Sequence, residues 1–501
     1  MSYPIDYLAI GPELVVIVSM LGVLALDLVL PRRLKYVSGA VAVVGLTLAA
    51  LPLILLAVRP EVASMFDGSY VVDRFSLVLK GLFLVAGYIV LIMSVTYIES
   101  DRFYQGEYYF LLLSSILGSL VMASGRDLIV LFIGLELTTA PLFMLAGWRK
   151  GDLKSNEASV KYFILGVLST AILLWGMSML FGVTGAVRFD EIASAVAGIS
   201  TGDPAFPLLT LAVIFVMVGF GFKVSAVPFH SWAPDTYEGA PIPVTAYLSV
   251  SSKAAGFVGM FVFLYLAIPS LSSVWGPAIW VMAALSMTVA NLAALRQTNI
   301  VRLLAYSSIA QAGFMLVPFA AAALSGRPEA LSSGLEATVV YLLIYALMNL
   351  GAFAVVIVGT KRTGTTEIAG WAGLARIDPR LAVLTALFFF SLAGIPPLAG
   401  WYAKFKMFTS AIEAGGTWAY VLAGIAALNA VIAFAYYAKV AKAVWFDEPA
   451  ADAEEVTEAP SGSLVLVLAI AAVVTLVVGV IPNIPDFLGE ATRTLLAAAG
   501  G

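Results

Sequence analysis

Gly219-Phe-Gly-Phe-Lys223-Val-Ser-Ala-Val-Pro228-Phe-His230-Ser-Trp-Ala-Pro-Asp-Thr-Tyr-Glu-Gly-Ala-Pro241, continued by an apolar segment with Lys253 at its middle, is the stretch on which the reading of this chain turns. Two lysines lie inside hydrophobic segments long enough to cross a bilayer. Between them runs a Pro-rich connection with the only histidine of the chain. A charge in hydrocarbon costs at least ~2.5–3.5 kcal/mol, so a lysine placed there calls for a function.

The rest of the chain is built of the same material. Of its 501 residues 61% are hydrophobic and 12% charged, where a soluble chain carries about 25% charge. Apolar runs recur along the whole length. They predict an all-α membrane protein with about fourteen transmembrane helices, beginning near Leu8, Val37, Phe75, Tyr108, Leu128, Ala158, Phe206, Pro241, Trp275, Ile300, Leu335, Leu381, Trp418 and Ser463. The net charge of −4 says little about partners. The absence of cysteine excludes thiolate-held iron–sulfur clusters, CxxC redox motifs and disulfides on this chain. Met1–Ile10 lacks a basic leader region, so the first run is expected to be a retained helix. The acidic, Pro/Ala-rich stretch Phe446–Ser461 is expected to be a solvated loop.

Connections after odd-numbered spans hold about sixteen Lys and Arg and the other side about seven. By the positive-inside rule both termini lie outside the cytoplasm. The sequence also predicts two inverted five-helix repeats, spans 4–8 and 9–13. Each carries a broken helix: span 7 around Pro228, and span 12 around Ile395-Pro396-Pro397. A simple proline kink is the alternative. The division is 1–107 for an N-terminal three-helix segment, 108–268 and 269–445 for the repeats, and 446–501 for the acidic loop and last helix. On this reading Lys404 is the counterpart of Lys223. Lys406 faces another side of its helix and should tolerate neutral replacement.

Five residues are candidates for proton translocation: Glu136, Lys223, His230, Lys253 and Lys404. Glu136 falls near mid-membrane, about 12 Å into span 5, with Lys223 as its expected partner. Burial disfavours an ionised group and a nearby opposite charge favours it, so moving a carboxylate relative to an ammonium switches proton affinity. His230 could pass protons between the central lysines, or merely fix the Pro-rich loop. Glu157 and Lys161, four apart, serve either as part of the path or as a helix-stabilising pair. Lys80 is expected to snorkel, and Glu13, Asp27 and Glu336 to be wet. No GxGxxG, P-loop, haem-ligating His pair or metal-binding carboxylate cluster is present, so no redox or hydrolytic chemistry is expected on this chain alone.

Gly134-Leu-Glu136-Leu, the Gly221–Asp235 stretch, Ser251-Ser-Lys253-Ala, Arg302-Leu-Leu-Ala-Tyr-Ser-Ser-Ile-Ala-Gln-Ala-Gly313 and Leu392-Ala-Gly-Ile-Pro-Pro-Leu-Ala-Gly-Trp-Tyr-Ala-Lys404-Phe resemble the antiporter-like subunits of respiratory complex I. That family also includes subunits of multisubunit Na⁺/H⁺ antiporters, which is the alternative reading. One branch of the family has glutamate where this chain has Lys404. A longer branch adds a lateral helix for which no room is expected here. The resemblance implies Glu136 paired with Lys223 in a first half-channel, Lys253 as the connecting lysine, Lys404 ending the second half-channel, and His230 on the polar axis between Lys223 and Lys253. It implies proton transport coupled to quinone reduction elsewhere, with FMN, iron–sulfur clusters, NADH and quinone sites in other subunits. It further implies other antiporter-like membrane subunits as partners and a bacterial inner membrane as location.

Overall fold

The computed structural model describes residues 5–31, 34–59, 62–99, 106–449 and 460–497. Residues 450–459 of the predicted acidic loop, and Arg32, Arg33 and Arg102 of the charge count, lie outside the described residues. Among the described residues thirteen helices are long and apolar enough to cross a membrane. A further span consists of two shorter helices, Pro379–Ala393 and Ala399–Ala414, so the expected fourteen are all found.

The spans used below are 1 (Gly11–Val29), 3 (Arg74–Glu99), 5 (Leu128–Ala146), 6 (Leu153–Thr184), 8 (Ile242–Ala267), 10 (Ile300–Ser325), 11 (Pro328–Thr363), 13 (Thr417–Phe446) and 14 (Gly462–Val480). Span 7 is Phe206–Lys223 followed, after a break, by Trp232–Gly239. Spans 8, 10 and 11 are almost wholly buried, with the other spans around them.

Both breaks follow from proline, which has no N–H to continue a helix ladder. The sequence Pro228-Phe-His-Ser-Trp232 at the first break matches Pro397-Leu-Ala-Gly-Trp401 at the second. The ends of neighbouring spans match too. Asp127 caps span 5 by accepting from Val130 N, and Asn299 caps span 10 by accepting from Val301 N and Arg302 N. Each cap residue forms an antiparallel bridge to the segment that follows the next span, Asp127 with Arg188 and Asn299 with Glu367. Spans 6 and 11 each end in Thr-Gly, with Gly185 and Gly364 at φ +67° and +70°, the left-handed C-terminal conformation that glycine adopts most cheaply. Five spans separate the two copies, so the second runs in the opposite direction through the membrane.

This registration corrects one expectation. Lys223 closes the first half of span 7, before its break, whereas Lys404 lies in the second half of span 12, after its break. Aligned on the breaks, Lys223 stands opposite Leu392 and Lys404 opposite Asp235. The two lysines lie on opposite sides of the breaks in their arms and are not equivalent positions.

Several elements escaped the sequence. A short hairpin joins Ala63–Met65 to Tyr70–Val72, a nine-residue helix spans Phe189–Ala197, and two short helices, Asn483–Ala491 and Thr494–Ala497, follow span 14. Span 8 contains π-helical turns at Leu248–Ser252 and Phe263–Ala267, a distortion often found at functional sites.

Four charges expected near water are inside. Lys80 is fully buried and does not snorkel: its Nζ pairs with Glu13 Oε1 at 2.9 Å and donates to Tyr70 Oη at 3.0 Å. Glu13 is itself buried and accepts from the Tyr70 hydroxyl at 2.7 Å. Asp27 is buried, accepting from Gly106 N at 2.8 Å and from Lys35 at 2.9 Å. Glu336 is buried against Lys406 at 2.7 Å and the Arg493 guanidinium. In each case a second segment folds over the span end and removes the water that position along the helix had suggested.

Candidate functional site

Lys223 ends a half-helix, where the backbone dipole presents its negative end to the ammonium. Its Nζ donates to Thr139 Oγ1 at 2.7 Å and stands 3.8 Å from Glu136 Oε1. Thr139 donates its own proton to Leu135 O, which orients its oxygen toward the lysine. Glu136 is held by Thr170, which donates to Oε1 at 2.9 Å. Carboxylate and ammonium are thus at the edge of ion-pair range, with a hydroxyl as the immediate acceptor. A displacement of about 1 Å would exchange the partner of the lysine from a neutral oxygen to a charged one. Glu136 also shows about 30% of its side chain to the outside, on the face of span 5 that carries exposed Ile129, Ile133 and Met144.

Lys253 follows directly on the first π-helical turn of span 8. It is 1% exposed, and its Nζ donates to Ser308 O at 2.5 Å and to Ser308 Oγ at 2.6 Å. The Tyr345 hydroxyl donates to the same Ser308 Oγ. Lys404 folds back across the break of span 12. Its Nζ donates to Ala393 O at 2.6 Å and sits 5.0 Å above the ring of Phe314. Among the described residues, neither Lys253 nor Lys404 has an acidic partner in ion-pair range.

Gln311 lies between the two, one turn from Ser308 and bonded to the break of span 12. Ser308 and Gln311 are three apart on one face of span 10. The Gln311 amide donates to Leu392 O at 3.0 Å and to Tyr437 Oη at 3.2 Å, while its carbonyl accepts from the Tyr341 hydroxyl at 2.6 Å. The hydroxyls of Ser307 and Tyr437 are hydrogen-bonded at 2.5 Å. The two carbonyls beside the break, Leu392 and Ala393, are therefore taken by Gln311 and Lys404, as a broken helix in hydrocarbon requires. The axis runs Glu136, Thr139, Lys223, then Lys253, Ser308, Gln311, and the break with Lys404. Its neutral members were not singled out in the sequence. The available signal was Ser307-Ser308-Ile-Ala-Gln311 inside an otherwise apolar span, with Tyr341 and Tyr345 four apart on the next.

His230 is not brought onto this axis by any hydrogen bond to Lys223 or Lys253. Phe229 packs against Gly221, and His230 sits beside exposed Pro228 and Ser231 at the rim of the connection. Its Nδ1 is buried without a hydrogen-bond partner. Glu157 and Lys161 lie at the Lys/Arg-rich end of the bundle. Lys161 bridges Glu157 at 2.5 Å and Asp235 at 2.7 Å; Arg302 bridges Asp235 at 2.7 Å and Glu238 at 3.1 Å; Lys154 meets Glu238 at 2.9 Å. This network ties span 6, the second half of span 7 and span 10 together at the surface. Among the described residues no cluster of three or more His, Asp or Glu could hold a metal.

A membrane bundle with two inverted arms, a broken helix in each, and buried lysines along one polar axis is an antiporter-like cation-translocating architecture. Residues 125–429 match the family model described as NADH:quinone oxidoreductase/Mrp antiporter, transmembrane. The chain is 38% identical to NADH-quinone oxidoreductase subunit N of Trichlorobacter lovleyi, covering 97% of each chain. It is 41% identical to subunit N 1 of Koribacter versatilis, covering 96% of this chain and 94% of that one. A chain of respiratory complex I from Thermus thermophilus superposes with a TM-score of 0.76 at 30% identity, covering 96% and 99%. A chain of the Mrp complex from Dietzia has a TM-score of 0.82 at 21% identity, covering 99% and 98%, a likeness of fold alone. The chain belongs to the NADH:quinone oxidoreductase/Mrp antiporter family of membrane subunits, and within it to the subunit N group of NADH-quinone oxidoreductase.

Proposed function

We propose that this chain translocates protons as a membrane subunit of NADH:quinone oxidoreductase, through Glu136, Lys223, Lys253 and Lys404, in step with quinone reduction in other subunits. Subunit N relatives at 38–41% identity support the quinone-oxidoreductase reading over the Na⁺/H⁺ antiporter one. The protein sits in a bacterial inner membrane with its Lys/Arg-rich end in the cytoplasm and both termini outside. Segments 1–107, 108–268, 269–445 and 446–501 act as its units. FMN, iron–sulfur clusters and quinone are bound by other subunits. Glu136, part-exposed near mid-membrane, would be costly against lipid; a neighbouring membrane subunit covers it. His230 takes part only if the Pro-rich connection moves, since its resting position makes no contact with the lysines.

The observation that carries the reading is the geometry at Lys223. The Lys223 ammonium, held by Thr139 with Glu136 3.8 Å away, changes its proton affinity when it moves by about 1 Å toward the carboxylate. The test is NADH-driven proton uptake and quinone reduction measured together in membrane vesicles. Glu136→Ala and Lys223→Ala should each lose most coupled uptake with the subunit still assembled, and Glu136→Asp should keep part of it. Normal pumping by both alanine variants would refute the assignment.

A further inference from the structure

The half-helix Ala399–Ala414 has lost its backbone continuity at the break, so side-chain contacts must fix its rotation and depth. Lys404 uses one face of it. Tyr402 and Lys406, one turn apart on the opposite face, use the other. Lys406 Nζ pairs with Glu336 Oε1 at 2.7 Å and with Asp486 Oδ1 at 3.2 Å. The Tyr402 hydroxyl donates to Asp486 Oδ2, and Arg493 Nε donates to Glu336 Oε2 at 2.7 Å. Glu336, on span 11, is 2% exposed; Asp486 and Arg493 belong to the C-terminal segment that follows span 14. Two acids and two bases balance in a pocket closed by the helix Asn483–Ala491.

The internal repeat sharpens the point. Glu336 and Glu157 stand at the same distance before the Thr-Gly ends of spans 11 and 6. Among the described residues Glu157 is exposed and pairs only with Lys161. In the first arm the half-helix after the break is tied by part-exposed pairs, Lys161 and Arg302 with Asp235, whereas in the second, where a lysine follows the break, the tie is centred on the buried Glu336.

We propose that Glu336, Lys406, Asp486, Tyr402 and Arg493 form a clamp through which the C-terminal helix positions the second half of span 12, and with it Lys404. The functional part of this inference rests on the proposed role of Lys404. Charged hydrogen bonds supply the direction that apolar packing against spans 10, 11 and 14 does not. Removing Lys406 or Glu336 unbalances the charges of the cluster and takes an ionic partner from each of its neighbours, which loosens the hold on the half-helix. Lys406, Glu336 and Arg493 are positioning residues on this account.

The chain has no cysteine, so Lys404→Cys gives this subunit one thiol, at a site that is 6% exposed. Membranes holding the assembled complex are treated with N-ethylmaleimide, and the labelled subunit is identified by its mass shift. With the clamp intact, labelling should be slow. Adding Lys406→Ala or Glu336→Gln should raise the rate about tenfold or more, through local opening, and Lys406→Arg should bring it back. In chains that keep Lys404, Lys406→Ala should lower proton uptake per quinone reduced. Should Lys406→Ala prevent retention in the membrane, Arg493→Gln, at the half-exposed edge of the cluster, should give a smaller rise in labelling. An unchanged labelling rate in variants present at normal levels overturns the clamp. If labelling rises while Lys404→Ala itself pumps normally, the clamp stands and the relay role of Lys404 fails.

Discussion

Replacing Lys80 by Met tests whether the N-terminal spans are pinned by a buried ion pair. Lys80 is 0% exposed and Glu13 5% exposed, so solvent screening does not dilute their interaction. Removing one partner of such a pair leaves an uncompensated charge and costs about 3–5 kcal/mol. The Tyr70 hydroxyl still donates to Glu13 after the substitution, which places the expected loss at the lower end, about 3 kcal/mol. The double variant Lys80→Met with Glu13→Gln removes both charges and keeps an acceptor for Tyr70. It should recover most of the loss, a coupling of about 2–3 kcal/mol. Because span 1, span 3 and the hairpin all meet at this cluster, the effect should appear as local opening. The assay is backbone hydrogen exchange over residues 11–16 and 76–82 in the purified complex. Exchange should rise about 100-fold in the single variant, since 1.4 kcal/mol is roughly tenfold, and fall back in the double. An unchanged single variant, or a double variant as labile as the sum of two singles, would show that the pair contributes nothing and that Lys80 is a replaceable charge after all.

Two further substitutions address the axis. Thr139→Val keeps the shape but removes the oxygen that accepts from Lys223; proton uptake should fall about fivefold or more, from the 1–3 kcal/mol of an unmade buried hydrogen bond at roughly 1.4 kcal/mol per tenfold, and Thr139→Ser should restore it in the same vesicle assay. Gln311→Leu strips partners from Leu392 O, Tyr341 and Tyr437 at once; it should reduce coupled uptake as deeply as Lys404→Ala without altering subunit levels, whereas an active Gln311→Leu variant would mean that Lys253 and Lys404 communicate by another route.

Span number, the two breaks and the charged members of the axis were legible because hydrocarbon makes both apolar runs and intramembrane charges conspicuous. Glu136 and Lys223 could be paired on depth alone. What sequence could not give was facing and cover. Position along a helix suggested that Lys80 and Glu13 reached water, but the hairpin Ala63–Val72 closes over them. Glu336 and Lys406 looked peripheral until the helix after span 14 folded onto them. The neutral residues Thr139, Ser308 and Gln311 were equally hidden. A hydroxyl or amide costs far less to bury than a charge once it is hydrogen-bonded, so its presence in a span is no alarm. His230 is the converse: its titratable ring was conspicuous in the sequence, while its place at the rim, set by the fold of Phe229 onto Gly221, was not.

The repeat explains why the two arms need different chemistry. Measured from their capping residues, Glu136 stands where Ser308 stands, and Thr139 where Gln311 stands. Measured from the breaks, Lys223 stands where Leu392 stands. In the first arm those three positions hold a carboxylate, a hydroxyl and an ammonium, with Thr139 receiving Lys223. In the second they hold a hydroxyl, an amide and a backbone carbonyl, with Gln311 serving Leu392. The same scaffold thus presents a charge pair once and a neutral copy of it once. The neutral copy is where Lys253, a lysine of the first arm, inserts its ammonium. A carboxylate at Ser308 would trap that proton in a buried ion pair, whereas a hydroxyl and a carbonyl hold it without fixing its charge. On the proposed function, Ser308 is then the point at which the first arm would hand a proton to the second, whose own lysine lies beyond the break, where Lys404 meets Ala393 O without competing for the same site.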